Sequence, residues 1–253
     1  MALLDRVLVR GPRRSTEPFD PVEASRMSLL EHLEDLRRML IVCIVAWAAT
    51  SVVGFFFWGR VIGFLIERGG IHRAVYPAPT GAFLLGVKVA IGIGFVAAFP
   101  VIVQQVWWFV SPGLHRHERR LILPLIAATT LFFLGGMAVA LFSLPLFIRI
   151  LSSFAPADLQ YFPFIDEYVG FILVLVIGFG LVFELPVVLF VLGMIGIVKS
   201  RWLYRNRAYW IVGLALAANF LTPGADPISP LIMFIPLYIF WEGTALLLKL
   251  MGR

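Results

Sequence analysis

From Met39 onward, long apolar stretches alternate with short polar ones. Apolar runs over Met39–Trp58, Ala82–Val110, Leu121–Phe142, Val169–Val198, Tyr209–Leu221 and Ile228–Leu248 predict six membrane-spanning helices. The second and fourth runs are longer than a bilayer requires, so these helices must tilt or protrude. Tyr209–Leu221 has the opposite problem: 13 residues give only about 20 Å of helix against a hydrocarbon core of about 30 Å. That segment must be shielded by neighbours or sit in thinned lipid. Ahead of the first run, Leu29, Leu33, Leu36 and Leu40 recur at helical spacing, which predicts an amphipathic helix beginning near Ser28. Glu31, Glu34, Asp35 and Arg38 occupy its other side. Residues 1–27 show no apolar period and contain Pro12, Pro18 and Pro21, so they are expected to be a disordered tail preceding a membrane domain over 28–250. No internal repeat is visible.

Composition sharpens this into a class. Of 253 residues, 60% are hydrophobic and 14% charged, against roughly 45–50% and 25% in soluble domains. The mean hydropathy is +0.94. The expected fold class is therefore all-α, a polytopic integral membrane protein. The net charge of +6 suggests nucleic acid until the positions of the cations are considered. Sixteen Lys/Arg lie in the N-terminal segment to Arg38, the loops 111–120 and 199–208, and the C-terminus, whereas Arg60, Arg68, Arg73 and Arg149 fall on the other side. The positive-inside rule then predicts six spans with both termini cytoplasmic, and no nucleic-acid partner is expected. Arg13-Arg14-Ser15 looks like part of an export signal, but no apolar segment follows at the needed distance, which favours a solvated basic tail.

Polar groups inside the apolar runs carry the next information. Glu184 lies in Phe183-Glu184-Leu185-Pro186, near the middle of the fourth run. A charge at the bilayer centre costs about 2.5–3.5 kcal/mol on insertion scales. Either it satisfies backbone freed by Pro186 or a facing helix, or it is a polar docking point for another helix or a proton site. The second reading is favoured, because intramembrane ionisable groups point to function. Lys88 is close enough to the outer end of its run to snorkel to the interface. Gly86, Ala90, Gly94 and Ala98 form a row of small residues that admits close helix packing. Asp226, in the Pro- and Gly-rich turn between the last two runs, is suited to capping the following helix.

Much chemistry is excluded. Cys43 is the only cysteine, so there is no disulfide framework, thiolate zinc site or CxxC redox pair. His117-Glu118-Arg119-Arg120-Leu121 begins like a HExxH zinc motif but ends in Leu. No GxSxG elbow, P-loop or dinucleotide fingerprint occurs, and Asp158 and Asp166 lie outside the apolar runs. Neither an enzyme nor a bound cofactor or metal is expected.

Four segments carry a resemblance. The loop Gln105-Val106-Trp107-Trp108-Phe109-Val110-Ser111-Pro112-Gly113-Leu114-His115-Arg116-His117-Glu118-Arg119-Arg120 closely resembles the first cytoplasmic loop of the TatC family, the multi-spanning subunits of the twin-arginine protein translocase. His32-Leu33-Glu34-Asp35-Leu36-Arg37 is similar to that family's HLxELR motif, and Phe183-Glu184-Leu185-Pro186 to its FExP motif. Leu221-Thr222-Pro223 through Asp226, then Ile235-Pro236-Leu237-Tyr238, resembles its last hairpin. The segments occur in family order over residues 27–250. The chain departs from the family at Asp35, usually Glu, at Pro230, usually Gln, and at Gly81, commonly acidic.

The resemblance implies a concave six-span bundle in a bacterial cytoplasmic membrane. It implies binding of the twin-arginine signal peptides of folded proteins, recruitment of TatA/TatB-type single-span partners, self-association, and export driven by the proton-motive force. Carried over position by position, Glu118, Asp35, Glu34, Arg37 and Phe109 would bind the signal peptide, and Glu184 and Asp226 would contact partner helices. Read without the resemblance, Glu118 serves equally well to pair with neighbouring arginines and shape its loop. The competing function is a proton-coupled secondary transporter using Glu184, although such transporters often show repeats.

Overall fold

A computed structural model describes residues 21–71, 75, 79–110, 122–154, 164–221 and 229–252. Among these residues the chain forms nine helices: α1 (Pro21–Gly54), α2 (Trp58–Gly69), α3 (Gly81–Val110), α4 (Ile122–Ser153), α5 (Ile165–Val182), α6 (Leu185–Met194), α7 (Ser200–Arg205), α8 (Arg207–Leu221) and α9 (Ser229–Leu250). The chain divides into two compact units between Arg38 and Met39, and each is described by itself.

Five stretches are long and apolar enough to cross a membrane: His32–Gly54, Gly81–Val110, Ile122–Ser153, Ile165–Met194 and Pro230–Leu250. These match five of the expected runs, with shifted ends. The first helix stops at Gly54 rather than Trp58, because Phe55–Phe57 form a turn and Trp58 opens α2. The third continues past Phe142 to Ser153, through Pro145. The fourth is two helices, and α6 ends at Met194 because Gly196 takes φ +85°, a conformation that costs glycine little. The 15-residue α8 falls below spanning length, as its short apolar run predicted. Neighbours shield only one of its faces: Leu214 and Ala218 are buried, while Tyr209, Val212, Leu216 and Phe220 remain exposed.

Within Met39–Arg253, packing depends on glycine where backbones meet. A Cβ at Gly136 of α4 would collide with the Phe179 carbonyl of α5, and one at Gly180 with the Phe133 ring. The expected small-residue row on α3 holds the end of α1 and the start of α2: a Cβ at Gly94 would strike Ser51, and Gly86 lies against Trp58. Thr50 Oγ1 donates to the Gly94 carbonyl at 2.7 Å and Trp47 Nε1 to Ile91 at 3.0 Å. Both are interhelical bonds of the kind that stabilises helices in lipid.

The region around α2 is pinned by an exchange of partners. Proline at 145 has no N–H for the carbonyl of Leu141, four residues earlier. Arg68 of α2 takes that place, its Nε donating to Leu141 O at 3.1 Å while its guanidinium stacks 5.0 Å from the Phe142 ring centroid. Tyr168 Oη donates to Leu65 O at 2.8 Å, and the Ile165 N–H bonds Val75 O at 2.9 Å. Lys88, expected from the sequence to reach for an interface, has a partner there: its Nζ lies 2.5 Å from Asp166 Oδ1 at the start of α5.

Candidate functional site

The candidate residues fall into three groups. In the N-terminal unit, His32, Glu34, Asp35 and Arg37 sit on one helix and all are exposed. Leu33 of the expected apolar stripe is 59% exposed. Glu34 and Arg38 have the spacing of a helix pair, but no ion pair forms between them. Ordering two long exposed side chains costs about as much as their screened attraction returns. Both acids therefore keep carboxylate oxygens open to an incoming cation.

The second group closes α3. Trp107 is buried, Trp108 is exposed and Phe109 is half-buried, so this aromatic segment is half anchored and half presented. Glu118, its acidic companion in the sequence, lies outside the described residues, as does Asp226.

Glu184 forms the third group. The sequence predicts one continuous run with backbone freed by Pro186, but the helix is interrupted at Phe183–Glu184. The Glu184 N–H bonds Leu181 O at 3.1 Å, a tightened last turn of α5, and its own carbonyl accepts from Val188 N at 3.0 Å to open α6. Pro186 thereby occupies the first turn of α6, where a missing N–H removes no intrahelical bond. Phe183 is buried and meets Phe240 of α9 edge-on at 4.8 Å. The Glu184 side chain is half-buried, and its Oε1 has no hydrogen-bond partner. On α4, buried Thr129 Oγ1 is also without a partner. A buried acceptor left unsatisfied costs about 1–3 kcal/mol, so a hydrogen-bond donor reaching this break would be stabilised by it.

One polar cluster was missed. Arg207, at the start of α8, lies 3.2 Å from Glu242 of α9, and Tyr238 Oη donates to the same carboxylate at 3.0 Å. The Arg207 guanidinium also contacts the Tyr238 hydroxyl and covers its ring. Tyr204 faces this carboxylate too, and its phenol is pushed above the ordinary range by burial first and by Glu242 second. The usable signal was Glu242 itself, an acid within the last apolar run.

Apolar helices joined by short polar turns, with ionisable groups paired or held at helix breaks, define a polytopic α-helical membrane protein. The family model described as Sec-independent protein translocase protein (TatC) matches residues 31–236. The chain is 34% identical over 231 residues to the Sec-independent protein translocase protein TatC of Carboxydothermus hydrogenoformans, covering 90% of this chain and 95% of that one. It is 35% identical over 237 residues to the Aquifex aeolicus protein of the same name, covering 90% and 97%. A crystal structure of the twin arginine translocase receptor TatC matches with a TM-score of 0.74 and 32% identity, over 88% of this chain and all of that one. The chain belongs to the TatC family, and its function is that of a Sec-independent protein translocase subunit.

Proposed function

We propose that this subunit is the receptor of the translocase and reads paired arginines in the signal peptides of folded proteins. The observation that carries the reading is that Glu34 and Asp35, within a segment that matches the family's N-terminal motif, are exposed and form no ion pair among the described residues. A guanidinium presents a planar fork that meets a carboxylate in two parallel hydrogen bonds, and an ammonium does not. Carboxylates held at a membrane boundary therefore prefer Arg-Arg to Lys-Lys. Arg37, Arg38, Arg116, Arg119 and Arg120 accompany Glu31, Glu34, Asp35 and Glu118 in or directly beside the two matched segments. With charges so nearly balanced, selectivity comes from short-range geometry more than from long-range attraction.

In this reading Glu118, Asp35, Glu34, Arg37 and Phe109 bind the signal peptide, the three acids accepting from its arginines. Glu184 and Asp226 receive polar groups of a TatA/TatB-type single-span helix. The protein has six spans in a bacterial cytoplasmic membrane, counting α8, with both termini cytoplasmic, and it self-associates. It is not an enzyme; it supplies recognition and assembly, and the proton-motive force supplies the work.

The test is direct binding of a labelled twin-arginine signal peptide to the full chain in lipid nanodiscs, beside its twin-lysine version. Preference for the arginine peptide by tenfold or more is expected, from a charge-assisted bond of about 1.5–3 kcal/mol per site. Equal affinities would remove the receptor assignment.

A further inference from the structure

Arg201 and Arg205 stand four residues apart on α7, share one helical face, and are both exposed. Ser200 and Leu203 form the buried side of that helix. Like charges at this spacing repel, so the arrangement asks for an anion. Exposed Lys199 immediately precedes them, and α9 brings a further cation to the same corner: Lys249 Nζ lies 6.0 Å from the Tyr204 ring centroid. The local acid, Glu242, is occupied by Arg207 and Tyr238. Among the described residues, Lys199, Arg201, Arg205 and Lys249 form no ion pair.

What surrounds these cations identifies the anion. They sit where α8 begins and where α9, long and apolar enough to cross a membrane, ends; a bilayer around α9 puts its headgroups at this level. Trp202 and Tyr209 flank them at 45% and 80% exposure. Amphipathic rings at this depth lie between headgroups and acyl chains, whereas a soluble acidic partner would gain nothing from them. Guanidinium forks match phosphate oxygens in paired hydrogen bonds. We infer that the α7–α8 corner is a binding site for an anionic phospholipid, with Arg201, Arg205 and Lys249 on the phosphate and Trp202 and Tyr209 on the glycerol and upper acyl region.

Native mass spectrometry of the full chain in detergent, titrated separately with phosphatidylglycerol and phosphatidylcholine, tests the site. Wild type is expected to bind phosphatidylglycerol the more tightly. R201Q/R205Q should lose about tenfold or more of that affinity and a smaller share of its phosphatidylcholine binding. R13Q/R14Q removes the same charge elsewhere and should bind as wild type. Should the double variant fail to fold, R201Q and R205Q alone carry the test, with about three- to fivefold losses each. Unchanged phosphatidylglycerol affinity in R201Q/R205Q overturns the inference, as does an equal loss in R13Q/R14Q or no lipid preference in wild type. A pentaglutamate peptide that displaces phosphatidylglycerol at lower concentration would also overturn it and assign the corner to a protein partner.

Discussion

Glu34 and Asp35 are adjacent on the helix surface, and among the described residues neither is paired with an arginine. What separates them is their place in the motif, where Asp35 holds the position usually filled by Glu. Asp35→Asn is therefore expected to weaken twin-arginine peptide binding about ten- to hundredfold at most, less with solvent exposure, and Glu34→Gln to weaken it less. Asp35→Glu should keep binding. Peptide titration of the three variants decides the order, and a worse lesion in Glu34→Gln would shift recognition by one residue. Glu184 calls for a different readout. Glu184→Ala should reduce crosslinking of a TatA-type helix to α5–α6 several-fold while sparing peptide binding. Glu184→Gln should be milder, because an amide retains hydrogen-bonding capacity. Loss of peptide binding in both variants would instead indicate a folding defect. Glu184 was legible in the sequence because an acid stands out in an apolar run. The helix break beside it was not, because Pro186 suits a kink and a first turn equally well.

The nine helices differ in how plainly the sequence announced them. Continuous apolar runs mark α3 and α9 nearly to the residue, because apolarity over that length has few other uses. The tertiary pairings left no such trace. Arg68 and Leu141 are 73 residues apart, and Lys88 and Asp166 are 78 apart; spacing along the chain says nothing of either. The link between α2 and α4 nevertheless yields a prediction. Arg68→Met removes the donor to Leu141 O and should lower the apparent melting temperature by several degrees, about 1 kcal/mol. In a Pro145→Ala background the restored N–H at 145 serves that carbonyl, so Arg68→Met should cost less than half as much. A thermal double-mutant cycle in detergent measures the coupling. Additive losses would show that Arg68 acts elsewhere.

For the whole molecule, the cation bias predicts orientation. A reporter active only in the cytoplasm should work when fused after Arg253 or at Arg205, and fail near Gln160. Activity at Gln160 would overturn the six-span arrangement. The arrangement also has an electrical consequence. In the six-span reading, the 15 residues of α8 give a rod of about 22 Å beside a hydrocarbon layer of about 30 Å, with its exposed face turned to lipid. Lipid that shortens to match such a rod drops the same transmembrane voltage over a thinner dielectric. The local field there is then about one-third steeper than in the surrounding film, for a potential worth about 2.3 kcal/mol per charge per 100 mV. A charged segment crossing along α8 meets the strongest electrical pull at the place where the insulating layer is thinnest.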